Sequence, residues 1–145
     1  MFLDHSSVQQ VRTHGAAIDR CAYQLVDGFC DRFFGACPHL RRSFATDTRQ
    51  RREMAHRWAW FIRHLGETDL VKTELGGFGK MLTSRGFSHQ TFLTARACLL
   101  EATRGAAHTC NAPWGPAQES AWASAIDACL EVMNPSARMF YAKAA

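Results

Sequence analysis

Apolar residues recur along most of the chain at spacings of three and four, the pattern of helices that bury one face. The first long segment, over residues 6–35, carries two such series side by side. One series consists of Ile18, Cys21, Leu25, Phe29 and Phe33. A second begins at Ala22 and ends at Phe34. The segment is therefore predicted to be a core helix, and Gly15 is where it could divide into two.

Proline and N-capping residues predict two helices in the middle of the chain. Pro38 suits the first turn of a short helix, which should end near Phe44. Thr48 can cap the next helix, which is predicted over about 49–65. The spacing within that helix turns five apolar residues inward: Met54, Trp58, Phe61, Ile62 and Leu65.

The second half of the chain contains one interrupted segment and two long helices. Glycines at positions 76, 77 and 79 should break residues 69–82 into shorter turns. Ser88 is a suitable N-cap for a helix over about 89–107, and Pro116 suits the start of the last helix. No run of alternating β-branched residues predicts a strand. We therefore expect a single all-α domain of six to eight helices over residues 1–145.

Composition indicates the setting of this domain. Of its 145 residues, 47% are apolar and 21% are charged, an ordinary globular balance with a net charge of +4. No apolar run approaches the ~20 residues of a membrane span, and polar residues interrupt the N-terminal stretch where a signal peptide would have its apolar region. Six cysteines stand apart, without CxxC spacing. We expect a cytoplasmic protein with free thiols and no membrane partner.

Three blocks of the sequence resemble bacterial single-domain globins and the globin half of flavohaemoglobins. Residues 29–44 follow the family pattern F-Y-x-x-L-F-x-x-x-P-x-L-R-x-x-F at most of its fixed positions. Residues 82–92 are similar to the end of the proximal helix and the start of the next, and Ala121-Trp122 with 130–133 to the final helix. The resemblance implies a globin-like three-over-three helical sandwich. It also implies that Phe44 is the phenylalanine that packs on the haem face.

The chain departs from the globin pattern at the positions that bind haem and oxygen. Leu82 stands where the family has its iron-ligating histidine, and leucine has no atom that ligates iron. Cys30 stands where bacterial globins have a tyrosine beside bound oxygen, and Arg51 or Arg52 replaces the usual distal glutamine. The resemblance thus implies the fold without reversible oxygen binding.

Globin-fold proteins without the proximal histidine include phycobiliproteins and the bilin biosynthesis-associated globins. Similarity to these implies a linear tetrapyrrole, a bilin of the biliverdin or phycocyanobilin type, in the former haem pocket. Such a ligand needs an apolar slot, aromatic walls and basic groups for its two propionates. The residues expected to supply them are Cys30, Phe44, Arg49, Arg52, His56, Arg57, Trp60, Leu82, Arg85 and Phe92. Arginines would pair with the propionates, and His56 would face the pyrrole nitrogens.

Two alternatives to a bilin stay open at this point. Haem could be held through a non-standard ligand, for which the candidates are His56, His64, Met81 and His89. The domain could also be a cofactor-free interaction protein, and a homodimer through the last two long helices is compatible with each of these readings. No catalytic motif points to an enzyme, and no histidine pair points to a metal site. The arginine-rich helix is compatible with nucleic-acid binding, but the globin-like spacing favours a small-molecule pocket.

Overall fold

The computed structural model of the protein describes residues 3–44 and 46–134, which form helices joined by short turns. The six α-helices are α1 (His5–Ile18), α2 (Ala22–Ala36), α3 (Thr48–Arg63), α4 (Thr68–Ser84), α5 (His89–Thr109) and α6 (Pro116–Met133). Two 3-10 helices, Asp19–Cys21 and Pro38–Ser43, lie before and after α2. No strand is present in the described ranges, which confirms the predicted all-α class. Within these ranges no helix combines the length and apolar character that crossing a bilayer requires.

Side-chain caps begin two of the helices that matter for the site. Ser88 accepts a hydrogen bond from the Thr91 N–H (3.2 Å) at the start of α5, as predicted. α3 is capped by Asp47, which accepts a hydrogen bond from the Gln50 N–H (2.9 Å), and Thr48 is its first helical residue. The predicted start of α3 is thus one residue too late. The Asp47 carboxylate is the better cap because its charge also complements the positive end of the helix dipole.

α1 and α2 are separated by the 3-10 turn Asp19–Cys21, so the prediction that Gly15 divides this segment is wrong. Gly15 lies on the buried face of α1, against Ile62 of α3. A Cβ atom at this position would come within 2.5 Å of the Ile62 side chain. Glycine here therefore allows α1 and α3 to approach closely.

α4 is one continuous helix of 17 residues, which corrects the prediction of separate turns over 69–82. Gly76 and Gly77 adjoin open space, where they only lower the helix propensity, by about 1 kcal/mol each. Gly79 is buried, and a Cβ atom there would run into the backbone of Met133 in α6. This close helix crossing, together with burial of the apolar face of α4, outweighs the weak local propensity.

The helices pack against one another in pairs. α2 packs on α5, α1 packs on α6 and α3, α3 packs on α2, α4 packs on α6, and α5 packs on α6. α3 and α4 follow each other in the chain but are not among these closely packed pairs. They meet through side chains instead, since residues from both pack on the same core.

Two buried clusters form the core. The first core lies mainly between α1, α5 and α6, and its most buried members include Val11, Ile18, Leu25, Ala107 and Trp122. The second core lies where α2, α4 and the start of α5 meet, and includes Cys30, Phe33, Leu82, Phe87 and Phe92. α3 borders both cores, because Met54 packs on the second and Trp58 and Ile62 pack on the first. The positions of α3 predicted to face inward are half-buried, and Leu65, just beyond its end, is fully buried.

A disulfide joins Cys21 to Cys110, which corrects the prediction that the cysteines are free thiols. The bond ties the turn before α2 to the end of α5, 89 residues later. The spacing of the cysteines along the chain could not predict this pair, because the bond depends on two distant chain segments meeting in the fold. The other four cysteines are thiols: Cys30, Cys37, Cys98 and Cys129. Because structural disulfides are rare in reducing compartments, cysteine usage does not support the predicted cytoplasmic location.

Candidate functional site

α3 and α4 are not closely packed on each other, and side chains of both helices pack on the second core. We call this region the α3–α4 cleft and the second core its floor. Four residues expected in the pocket belong to this floor: Cys30, Phe44, Leu82 and Phe92. Three of them are buried, and Phe44 is half-buried. α3 and α4 contribute four half-buried side chains that pack on the same floor, and the sequence did not assign them to a bilin pocket: Met54, Ala55, Phe78 and Met81. The structure thus brings Cys30, Phe44, Leu82 and Phe92 of the predicted site together.

A series of aromatic rings connects Phe44 to the interior of the floor. Its ring contacts Phe87, with 5.7 Å between the ring centroids, and Phe87 contacts Phe92 at 5.1 Å. Phe87 also contacts Phe33 at 5.4 Å. Contacts of this kind contribute about 1 kcal/mol each beyond the burial of area. Phe44 is the partly exposed end of this series, which places it at the edge of the cleft.

Leu82 occupies the position that the globin resemblance gives to the iron ligand. Its side chain lies on the buried face of α4 and is 7% exposed within the second core. A hydrocarbon side chain offers a metal no lone pair, so this position supplies packing. Among the described residues, no group of three or more His, Cys, Asp or Glu side chains is arranged to hold a metal ion.

The four alternative haem ligands lie in different surroundings. His56 is exposed, and the ring of His64 pairs with Glu67. His89 is half-buried, with Nδ1 3.1 Å from the Asn134 side-chain amide nitrogen. Met81 is the member of the four that packs on the cleft floor.

Cys30 of α2 and Arg51 of α3 lie near each other where these two helices pack. Cys30 has no exposed surface, and its burial raises the pKa of the thiol, an effect that the Arg51 charge opposes. Arg51 forms ion pairs with Asp27 and with Asp31, the latter at 3.3 Å. These two carboxylates lie one turn apart on α2, a spacing that lets them share one cation. The structure therefore turns Arg51 inward and leaves Arg52 exposed, a distinction that depends on partners in α2.

Two exposed arginines lie over half-buried rings at the edge of the floor, and we call this edge the mouth of the cleft. Arg57 of α3 reaches towards α4, where its guanidinium carbon lies 5.4 Å from the centre of the Phe78 ring. Arg85, just after α4, lies 5.5 Å from the centre of the Phe44 ring, with Nη1 3.5 Å from the Ser43 carbonyl oxygen. Neither arginine pairs with a carboxylate in the part of the chain that the structure describes. They therefore present two unneutralised positive charges beside the aromatic edge of the floor.

The remaining predicted site residues lie on α3 but away from this floor: Arg49, Arg52, His56 and Trp60. The first three are exposed, and Arg49 pairs with Glu53 at 3.5 Å. Trp60 is half-buried, with its ring centroid 4.6 Å from that of His64. These four positions share one face of the helix because they are three or four residues apart. Periodicity identified that face correctly as a group, but it could not tell whether the face meets the cleft or solvent.

Comparison with known proteins does not assign a family or a function to the chain. No protein-family model matches the chain, and no curated protein matches it significantly. The features of the chain that bear on its function are therefore the cleft, its floor and the two arginines at its mouth.

Proposed function

We propose that this chain is a globin-like, three-over-three domain that binds a linear tetrapyrrole, a bilin, in the α3–α4 cleft. The binding is non-enzymatic and serves carriage, storage or light absorption by the pigment. One observation carries the proposal: an apolar, aromatic floor with two unneutralised arginines at its mouth. That pairing matches a ligand with a conjugated apolar body and two carboxylates.

The packing of the helices supports the globin-like part of the proposal. Taken as two layers, α1, α3 and α4 form one layer and α2, α5 and α6 form the other. The pairs α1–α6, α2–α3 and α4–α6 then join the layers, while α1–α3, α2–α5 and α5–α6 lie within a layer. The exception among chain neighbours within a layer is α3–α4, which are not closely packed. A flat ligand needs a separation of this kind.

The residues of the cleft suit the two parts of a bilin. The conjugated body lies against the floor, where Leu82 and Phe92 are buried. Half-buried Phe44 and Phe78 are the side chains that the ligand displaces. Arg57 and Arg85 rest on those same two rings, so each exchanges a cation–π contact worth about 0.5–1 kcal/mol for a stronger charge-assisted bond to a propionate.

Leu82 favours a bilin over haem, because haem in a globin depends on a protein ligand to its iron. A bilin needs no such ligand. Of the alternative haem ligands, Met81 is the one whose side chain packs on the floor. If the cleft binds haem instead, the proposed iron ligand is therefore the Met81 thioether sulfur. No cysteine lies within residues 70–85, where phycobiliproteins attach their pigment, so we propose non-covalent binding.

The proposal is tested by the visible spectrum of the purified protein after expression with and without a bilin-producing haem oxygenase. We expect an absorption band in the red that requires the oxygenase, survives gel filtration and is lost on acid–urea denaturation. A Soret band in protein from the strain without the oxygenase would show that the ligand is haem and not a bilin. A colourless protein from both strains would leave a cofactor-free interaction domain.

A matched pair of double variants locates the pigment. Arg57→Ala with Arg85→Ala removes the two arginines at the mouth, whereas Arg49→Ala with Arg52→Ala removes two exposed arginines from the outer face of the same helix. We expect the first pair to lose most of the pigment and the second pair to keep it. The reverse result would move the ligand to the outer face of α3.

A further inference from the structure

A second concave site lies on the side of α3 that faces α1. This groove has a volume of about 420 Å³ and is open to solvent. The residues that define it are Arg12, Gly15, Ala16 and Asp19 on one wall and Ala59 and Arg63 on the other. None of them belongs to the α3–α4 cleft, so the groove is a separate feature of the molecule.

Three residues that line the groove have no side chain beyond a methyl group: Gly15, Ala16 and Ala59. Gly15 lets Ile62 approach the backbone of α1, which fixes the distance between the two helices. Ala16 and Ala59 then leave space that longer side chains would fill. Together with Ile62 they give the groove an apolar part, beside the polar side chains of Gln9 and Thr13, and this part suits an apolar group of modest size.

Charge at the groove is unbalanced towards the positive. Arg12 and Arg63 are exposed, and neither has a hydrogen-bond or ion-pair partner among residues 3–44 and 46–134. Other arginines do have partners, since Arg51 pairs with α2 carboxylates and Arg96 pairs with Asp127. Two unpaired guanidinium groups that border one concave surface are an arrangement that binds an oxyanion.

Asp19 makes the two ends of the groove differ in charge. It lies seven residues after Arg12, roughly 10 Å along the helix axis. A second acid group at that end would be repelled, whereas a hydroxyl or amine would be accepted. A ligand with its acid group at the arginine end therefore fits better than a dianion with acid groups at both ends.

We propose that the α1–α3 groove binds a compact organic oxyanion, a carboxylate or phosphate monoester that carries an apolar body about the size of one ring. The acid group is held by Arg12 and Arg63, and the apolar body lies over Gly15, Ala16 and Ala59. The volume falls within the range of about 300–1,000 Å³ that small-molecule sites occupy. This proposal does not rest on bilin binding and stands or falls separately.

Phenyl phosphate is the probe, followed by ¹⁵N–¹H NMR titration of the full chain. We expect saturable shifts of the amides of Gly15, Ala16 and Ala59. Phenol and inorganic phosphate serve as comparisons, and each should bind at least about 10-fold more weakly because it lacks one half of the recognised group. Binding of inorganic phosphate as tight as that of phenyl phosphate would overturn the apolar part of the proposal, and equally tight binding of phenol would overturn the ionic part.

Variants separate a specific site from surface charge. Arg12→Gln with Arg63→Gln should weaken phenyl phosphate about 10-fold or more, the loss expected for charge-assisted hydrogen bonds. Arg42→Gln, an exposed arginine outside the groove, should leave the affinity unchanged. Ala59→Leu fills the groove and should abolish binding with the arginines intact, while the dispersion of the remaining amide signals reports that the fold is kept. Unchanged affinity in the double arginine variant overturns the site.

Discussion

The two cores of this molecule are held together by different means. The first core contains a buried hydrogen-bonded network and is cross-linked at its edge by the disulfide. The second core is held by contacts among aromatic and aliphatic side chains, and several of its members are half-buried. The first core thus fixes one arrangement, whereas the second can be repacked without breaking a buried polar contact.

His14 shows how the first core fixes its arrangement. Its Nδ1 accepts a hydrogen bond from the Trp122 indole N–H (2.8 Å), and its Nε2 lies 2.7 Å from the Pro113 carbonyl oxygen. A carbonyl only accepts and an indole N–H only donates. The neutral ring with its proton on Nε2 is therefore the form that satisfies both partners. The Trp58 ring stacks on Trp122 at 6.0 Å, which ties α3 to the same network.

The largest effect on stability is expected from Trp122→Ala. The side chain is 2% exposed, and its removal opens a large cavity and leaves His14 Nδ1 without its donor. We expect a loss of about 3–5 kcal/mol in the free energy of unfolding, measured by urea denaturation. Trp122→Phe keeps most of the volume and should cost clearly less. If both variants lose less than Phe92→Ala in the second core, the contrast between the cores is wrong.

Reduction of the disulfide should have the next largest effect. Closing a loop of 89 residues stabilises a fold by about 2–4 kcal/mol through restriction of the unfolded chain. Dithiothreitol should therefore lower Tm in the native protein but not in the double variant Cys21→Ala, Cys110→Ala. Alkylation of the unfolded, unreduced protein should label four thiols and leave this pair unmodified. Labelling of all six would contradict the cross-link.

Much of the fold followed from the sequence, because local rules govern helix formation. Ser88 and Pro116 marked helix starts correctly, and the Pro38 helix ends next to Phe44 as predicted. The errors at Gly15 and in residues 69–82 have one cause. Intrinsic helix propensity disfavours glycine and so predicts a helix break. At a helix crossing, glycine is instead required because a Cβ atom would run into the neighbouring helix. The disulfide was missed for the related reason that its partners are distant in the chain.

Leu82→His should have an intermediate effect on the free energy of unfolding, and it is the sharpest test of the proposed globin-like arrangement. Without haem, an imidazole in the apolar second core should cost about 1–3 kcal/mol. With haem, the same residue should ligate iron and produce a Soret band that the parent protein lacks. Leu75→His is the matched control, because Leu75 is equally buried on the same face of α4, two turns earlier. Haem binding by neither variant would argue against a tetrapyrrole slot in the cleft.

The apolar floor of the candidate site was foreseen better than its charged part. Cys30, Leu82 and Phe92 were placed through the resemblance, and the structure buries all three in one cluster. The arginines of α3 could not be sorted in the same way, because seven positions of similar chemistry lie close together in residues 41–63. Partners in other helices decide among them: carboxylates on α2 select Arg51, and a ring on α4 selects Arg57.

The smallest effect on stability is expected from Arg57→Ala with Arg85→Ala. Both side chains are exposed. Each contributes one cation–π contact, and Arg85 adds a long hydrogen bond to the Ser43 carbonyl oxygen, so the free energy of unfolding should fall by less than about 1 kcal/mol. Pigment retention, in contrast, should fall sharply if these two cations hold the propionates. The two readouts separate structure from binding, because a residue that only packs would change both in proportion. Loss of stability comparable to that of Trp122→Ala would mean that the mouth of the cleft is as fixed as the first core.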